Sequence, residues 1–193
     1  MRVFVALLAA ANAVAVAQEA DTGWYAGFGI GSMTHAEAIS PQLSLDDTVS
    51  ATKLFGGFRW GSRWGVEVAY VDASAVEGAV AGLDMLADQF STVYSTEIAA
   101  LTIRPMAYLP VAWGTLFGGL GVFDRDRRSE RVGSSSLTAE TLPTRFSESS
   151  SGATLLLGTE WPVGPLKLRA EYEWWDLDRA DNASLGLGLS YRF

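Results

Sequence analysis

Apolar and polar residues alternate along the last twelve positions of the chain, Asn182 to Phe193. One set of alternate positions is wholly apolar and ends in Tyr191 and Phe193, whereas the other holds only small or polar residues and Arg192. Successive side chains of a strand point to opposite faces, so this pattern predicts a strand with one apolar face. Twelve residues are enough for a tilted strand to cross a membrane, which takes about 9–11 residues.

The same alternation recurs along the chain and predicts eight strands. We place them at residues 24–33, 51–60, 64–71, 96–108, 114–125, 151–161, 166–175 and 182–193. The connections at 61–63, 109–113 and 162–165 are short, those at 34–50, 72–95 and 126–150 are long and mostly polar, and the last one, 176–181, is shorter again. An even number of strands, with short turns on one side and long loops on the other, is typical of a transmembrane barrel. The predicted fold is therefore all-β, a closed eight-stranded antiparallel up-and-down transmembrane β-barrel with both termini on the short-turn side.

Tryptophan side chains mark the short-turn side of this barrel. The residues that fall at this one rim are Trp24, Trp60, Trp64, Trp113, Trp161 and the terminal Phe193. Amphipathic aromatic rings favour the interface between lipid and water. These positions therefore predict an aromatic girdle at the short-turn rim, and Trp174 and Tyr70 remain for the opposite rim.

Four charged residues share one face of the seventh strand, namely Lys167, Arg169, Glu171 and Glu173. A charge that faces lipid near the bilayer midplane costs about 2–4 kcal/mol, so four of them would cost as much as the ~5–15 kcal/mol that stabilises a whole domain. This face is therefore predicted to point into the lumen. The same rule adds Lys53, Arg59, Glu67, Arg104 and Glu160, whereas Glu97 falls on the lipid-facing side of strand four, near its long-loop end. Buried charges survive only when they are paired, so these nine residues predict a network of ion pairs in a closed or weakly conducting lumen.

The N-terminus has the pattern of an export signal. Arg2 precedes an apolar stretch from Val3 to Ala11, and Ala15-Val16-Ala17 is a small-x-small cleavage site. We therefore expect a signal peptide at 1–17 and a single barrel domain at 18–193. The 193 residues carry a formal net charge of -8 and no cysteine. The acidic balance argues against nucleic-acid binding, and the lack of cysteine excludes disulfides.

Three segments carry a resemblance to a known family. Lys53-Leu-Phe-Gly-Gly-Phe-Arg-Trp60, Gly65-Val-Glu-Val-Ala-Tyr-Val-Asp72 and Leu168-Arg-Ala-Glu-Tyr-Glu-Trp174 resemble the OmpA-like transmembrane domain, or outer membrane protein β-barrel domain, family. The resemblance implies an outer-membrane location with both termini periplasmic, a periplasmic aromatic girdle, and an inward salt-bridge network to which Glu67, Glu160 and Arg169 contribute. It also implies that Tyr191 and Phe193 belong to the signal read by the barrel-assembly machinery. Larger members continue into a peptidoglycan-binding domain, which we do not expect for this chain.

Three classes of function fit such a barrel. The first is a structural or surface-interaction protein, which acts in envelope integrity, adhesion or recognition through the loops 34–50, 72–95 and 126–150. The second is a small channel of low conductance. The third is a lipid A-modifying enzyme, because His35 lies near Ser32 and Ser40 at the long-loop rim. A serine nucleophile needs a base and an orienting group in hydrogen-bond reach, and nothing in the sequence fixes that geometry, so we expect no enzyme.

The long loops suggest further contacts but match no motif. Arg125, Arg127, Arg128 and Arg131 could meet the phosphates of lipopolysaccharide or belong to a solvated hairpin stem. Loop 72–95 is apolar enough to cover the barrel mouth or to meet a partner. Asp46 and Asp47 have no spaced set of further oxygen ligands, so we expect no metal site and no cofactor. The expected partners are outer-membrane lipid and lipopolysaccharide, the barrel-assembly machinery and a surface ligand.

Overall fold

The computed structural model describes residues 22–40, 43–83, 89–135, 142–177 and 180–193. These residues form eight strands: β1 (Gly23–Ser40), β2 (Leu43–Trp60), β3 (Trp64–Leu83), β4 (Gln89–Val111), β5 (Gly114–Ser135), β6 (Leu142–Val163), β7 (Leu166–Leu177) and β8 (Ala180–Arg192). Each strand pairs antiparallel with its neighbours in sequence, and β8 pairs with β1 to close the barrel. The predicted closed eight-stranded barrel is therefore confirmed. The expected signal peptide lies outside the described residues.

Tight turns join β2 to β3, β4 to β5 and β6 to β7 at one end of the barrel, which we call the turn end. Gly61 and Gly164 have φ angles of 66° and 62°, in the left-handed region that favours glycine. The first turn is also tied to its surroundings, since the Gly61 amide donates a hydrogen bond to the Thr22 hydroxyl at 2.9 Å. At the opposite end the strands are connected in four hairpins, β1–β2, β3–β4, β5–β6 and β7–β8. We call this end the hairpin end.

The strands continue far beyond the limits that the sequence predicted. Most residues of the predicted loops 34–50, 72–95 and 126–150 lie in strands, so the prediction of loops there is wrong. The longest example is the β5–β6 hairpin, whose ladder still pairs Gly133 with Leu142. A ladder needs paired backbone N–H and C=O groups rather than apolar side chains, and it therefore continues where the hydrophobic alternation stops. Residues 41–42, 84–88, 136–141 and 178–179 lie outside the described ranges, so part of the predicted final connection does too.

The outer face of the barrel is an apolar belt. Large exposed side chains on it are Phe28, Ile30, Leu54, Val68, Leu101, Ile103, Leu120, Val122, Leu157, Leu185, Leu187 and Leu189. Leu120 is 68% exposed and Leu185 63% exposed. A contiguous apolar surface of this kind is rare on a water-soluble monomer, and it is what a lipid-facing surface requires. Within the described ranges no helix is both long enough and apolar enough to cross a membrane.

The lumen is filled in layers. Towards the hairpin end lies an apolar layer, made of Met33, Val49, Ala51, Val71, Ala73, Ile98, Ala100, Phe123 and Trp175. Below it lie the charged residues, and towards the turn end follow buried aromatic rings from two smaller clusters, Tyr25 with Phe55 and Tyr108 with Phe117. Trp175 is only 1% exposed and its ring packs on that of Phe123 at 5.0 Å. The sequence pattern did not predict the apolar layer, since its rule assigned only charged residues to the lumen.

Candidate functional site

The structure brings all nine residues of the predicted charge network into the lumen. They project from five strands: Lys53 and Arg59 from β2, Glu67 from β3, Arg104 from β4, Glu160 from β6, and Lys167, Arg169, Glu171 and Glu173 from β7. Seven of the nine are buried, and Glu171 and Lys167 are partly buried. Each takes part in an ion pair with another member.

Glu67 lies at the centre of the network and is fully buried. Its carboxylate accepts a hydrogen bond from Nη1 of Arg169 at 2.7 Å, across the lumen from β7 to β3. The Tyr25 hydroxyl donates to the same oxygen at 3.0 Å. Nε of Arg104 lies 3.7 Å from the other oxygen. One carboxylate therefore ties together β1, β3, β4 and β7.

A second centre forms around Glu173, one layer closer to the hairpin end. Lys53 donates to Glu173 at 2.9 Å and to Glu171 at 2.6 Å. Arg104 and the Thr154 hydroxyl also donate to Glu173, at 2.8 and 3.0 Å. Charge-assisted bonds of this length are the stronger kind of hydrogen bond. They hold the charged layer in one arrangement across the whole width of the barrel.

Two glycines leave space for the two aromatic rings that flank Arg169, an arrangement that we call the ring clamp. Its guanidinium lies 4.3 Å from the ring centres of both Phe55 and Phe117. A Cβ atom at Gly27 would clash with the Phe55 ring, and one at Gly158 would clash with the Phe117 ring. The clamp therefore depends on glycine at both positions, and cation–π attraction adds to the ion pairs of Arg169.

Several lumen residues were missed by the charge rule, although strand alternation places them on the inner face. Tyr25 and Tyr108 are the clearest cases, with their hydroxyl oxygens 3.1 Å apart. Arg192 lines the lumen at the turn end, and Arg125 is buried towards the hairpin end. Counting inward positions on every strand, rather than charges alone, was the signal that could have found them.

The six residues of the predicted aromatic girdle all lie at the turn end. Trp24, Trp60, Trp64, Trp113 and Phe193 are exposed on the outside, and Trp161 is half-buried. Trp24 packs on Phe58 at 5.1 Å, Trp113 packs on Trp161 at 6.1 Å, and Tyr191 packs on Phe193 at 5.9 Å. The Phe193 amide also donates to the Trp24 carbonyl at 3.1 Å. The C-terminal aromatic pair is thereby joined to the first strand.

The arginines near the hairpin end do not form one outward patch. Arg125 is buried and donates to the Ser150 hydroxyl at 3.1 Å, so it lies inside the barrel rather than on an outward hairpin stem. Arg127 lies on the same inner side by alternation, Arg128 is exposed on the outer face, and the side chain of Arg131 lies outside the described part of the structure. Glu97 is exposed on the outer face opposite Arg128, as its predicted position near the long-loop end required.

The residues considered for chemistry lie on β1 and β2, towards the hairpin end. The backbone of His35 pairs with Asp47 and Asn182, and Ser32 pairs with Ser50 and Leu185. The side chains of His35, Ser40, Asp46 and Asp47 are not among those that the structure describes. Within the described residues there is no group of three or more His, Asp or Glu side chains that could hold a metal ion.

Comparison with known proteins matches this architecture. The model of the outer membrane protein beta-barrel domain family matches residues 3–193. Among solved structures, the chain is similar to Ail, the attachment invasion locus protein of Yersinia pestis, in complex with the heparin analogue sucrose octasulfate. The two sequences are 18% identical, the match covers 89% of this chain and 99% of that chain, and the TM-score is 0.50. The chain is also similar to Neisserial surface protein A (NspA), with 13% identity, 91% and 100% covered, and a TM-score of 0.55. No curated protein matches the sequence. At these identities the two structures support the fold alone.

Proposed function

The chain belongs to the outer membrane protein beta-barrel domain family, and from that premise we propose that it acts at the cell surface, as a non-catalytic recognition or adhesion protein, through its long hairpins. Membership of this family gives it an outer-membrane location. The observation that carries the proposal is the contrast between a filled lumen and strands that run far past the apolar belt.

The β5–β6 hairpin gives the scale of this protrusion. On β5 the apolar belt ends at Val122, and the strand continues from Asp124 to Ser135. At ~3.3 Å per residue this is roughly 40 Å of strand, or about 30 Å along the barrel axis for a strand tilted by about 40°. Such a hairpin rises beyond the lipid headgroups and presents two paired strands to the surroundings.

The proposed orientation has the turn end and both termini in the periplasm. Short periplasmic turns and long extracellular segments are general for bacterial barrels. The aromatic girdle at the turn end supplies the rings that favour a headgroup layer. The hairpins then face outward from the cell, where a surface partner can reach them.

A filled lumen argues against the alternative function as an open channel. The charged network crosses the lumen from β3 to β7, and the apolar layer closes it a second time near the hairpin end. An eight-stranded barrel has an interior just wide enough for its side chains. We expect planar-bilayer recordings to find no large, stable channels; such channels in the wild-type protein would contradict this part of the proposal.

The charge of the hairpin end restricts the partner. Among described side chains beyond the belt, the acidic ones are Asp72, Glu97, Asp124, Asp126, Glu130, Glu148 and Asp176, and the basic ones are Arg125, Arg127, Arg128 and Arg145. The names of Ail and of Neisserial surface protein A are consistent with a surface role. The acidic excess here disfavours a polyanion of the heparin kind and favours a cationic or neutral surface ligand.

Lipid, lipopolysaccharide and the barrel-assembly machinery remain proposed partners. The apolar belt supports a contact with acyl chains, and the C-terminal Tyr191 and Phe193 support a role in assembly.

Hairpin truncation tests the surface role. Removing residues 128–147 leaves the Arg127–Glu148 pair, and removing residues 35–47 leaves the Thr34–Thr48 pair. An Asn-Gly turn can close each shortened hairpin without changing the register. Cells that carry either variant are compared with wild-type and knockout cells for surface adhesion and envelope permeability. We expect normal insertion with lost adhesion, whereas wild-type adhesion of cells carrying both truncations would refute the proposal.

A further inference from the structure

An open groove of about 400 Å³ lies on the outer face of β3, β4 and β5, where the apolar belt ends. Its lower wall is formed by Leu101, a member of the belt, and by Tyr70, the neighbour of Leu101 across β3 and β4. Both side chains are exposed on the outside of the barrel. The groove is therefore continuous with the lipid-facing surface, and its volume lies within the range of sites that bind small ligands.

The groove exists because Ala99 carries only a methyl group between two longer side chains. Ala99 pairs with Asp72 on β3 and with Asp126 on β5, and all three side chains point outward. Neighbouring strands lie about 4.8 Å apart, so the backbones of the two aspartates are about 10 Å apart. Ala99 is half-buried, whereas both aspartates are exposed. The space above Ala99 therefore has a carboxylate on each side and can hold one alkylammonium group.

The part of the groove next to the belt is negatively charged. Asp124 adds a third aspartate to the lining. Glu97 and Arg128 also line the groove and are cross-strand neighbours at its outer edge, so this fourth carboxylate lies opposite the guanidinium. In the described part of the chain, none of the ion pairs involves Asp72, Asp124 or Asp126. The three aspartates attract a cation and repel a phosphate.

The groove lies at the depth of the lipid headgroups. Ala99 is two positions beyond Leu101 on β4, which is about 5 Å along the barrel axis for a strand tilted by about 40°. The headgroup layer on each side of the hydrocarbon core is itself only about 5–8 Å thick. A lipid whose headgroup reaches Asp72 and Asp126 therefore keeps its acyl chains beside the belt, so the surrounding leaflet is the source of the ligand.

We propose that this groove binds a membrane lipid with a cationic headgroup. Its ammonium group lies between Asp72 and Asp126, and its acyl chains lie beside Tyr70 and Leu101. The binding requires only that the barrel is inserted in a membrane, so it goes beyond the proposed surface role and does not depend on it. Adhesion can be lost or kept without affecting this site.

The test uses nanodiscs of zwitterionic phosphatidylcholine that hold the isotope-labelled protein. A dioleoyl lipid with a primary ammonium headgroup and no phosphate is added in increasing proportion, and the backbone amide signals are followed. We expect saturable shifts centred on residues 72, 99 and 126. A99L fills the groove without changing its charge and should abolish the saturable shifts. D126N should weaken binding roughly tenfold, the loss expected for one charge-assisted hydrogen bond.

Each variant has a control that makes the same chemical change outside the groove. A107L enlarges an exposed alanine of β4 near the turn end, and D176N alters an exposed aspartate of β7. Both should bind the ammonium lipid as the wild type does. Undiminished saturable binding by A99L, or shifts that grow without saturation at all exposed acidic residues, would mean general charge attraction and overturn the proposal. Equal shifts with phosphatidylglycerol in place of the ammonium lipid would overturn the choice of a cationic headgroup.

Discussion

Removing the charge of Glu67, as in E67Q, tests whether water is excluded from the lumen network and whether its ion pairs depend on one another for stability. Glutamine keeps the size of the side chain, and its carbonyl can still accept from the Tyr25 hydroxyl. What disappears is the negative charge that faces Arg169 at 2.7 Å and Arg104 at 3.7 Å. Both arginines are almost fully buried, so water cannot replace the lost partner.

The expected loss follows from the remaining contacts. Breaking a buried ion pair by removing one partner costs about 3–5 kcal/mol. We expect the lower limit, ~3 kcal/mol, because Arg169 keeps Glu171 at 3.2 Å and Arg104 keeps Glu173 at 2.8 Å. This corresponds to roughly a hundredfold change in the unfolding equilibrium. Urea unfolding of the protein refolded in lipid vesicles, analysed by linear extrapolation, measures it.

The control makes the same chemical change outside the lumen. E97Q alters a glutamate that is exposed on the outer face and should shift stability by less than about 0.5 kcal/mol. A double variant, E67Q with R169Q, removes both members of the pair, and its loss should fall below the sum of the single losses by at least ~1 kcal/mol. If E67Q stays within about 1 kcal/mol of the wild type, the network is hydrated and the reasoning fails.

Three further outcomes are expected from single changes. G158A should destabilise the barrel by about 1–3 kcal/mol, because the new Cβ meets the ring of Phe117; G56A, on the outer face, is its matched control in the same urea titration. Deleting Phe193 should lower the amount of folded protein in the outer membrane, measured by surface protease protection, and wild-type levels would contradict the assembly role. W175A should open the apolar layer, but bilayer recordings of this variant should still find no conductance, because the charged network continues to cross the lumen; conductance in W175A would mean that the apolar layer alone closes it.

The membrane-spanning part of the fold could be predicted because a strand with the wrong face outward would place polar side chains against lipid, which is energetically unfavourable. Every strand segment with an apolar outer face was placed from alternation, as the terminal strand from Asn182 shows. The strand segments beyond the apolar belt could not be placed, since both faces of such a segment can contact water. At Asp124 on β5 the alternation ends but the ladder continues, and the sequence has no signal for that difference.

The charged residues could be assigned to the lumen, whereas their pairing could not be predicted. Glu67 and Arg169 meet across the lumen from β3 and β7, and such a contact depends on strand tilt and stagger, which no local pattern encodes. The apolar layer was missed for a different reason. Met33 and Phe123 would fit either face of a transmembrane strand by hydrophobicity alone, so only the register of their neighbours decides.

The seam between β1 and β8 has a consequence for folding kinetics. Seven of the eight strand pairings join neighbours in sequence, but the pairing of Tyr25 with Arg192 closes a loop that spans almost the whole described chain. Local hairpins form early, and the closure of so long a loop comes late. Until the seam closes, β3 and β7 do not share a lumen, and Glu67 and Arg169 keep their own hydration shells. We therefore expect the desolvation of the ion pairs to be coupled to closure of the seam between β1 and β8.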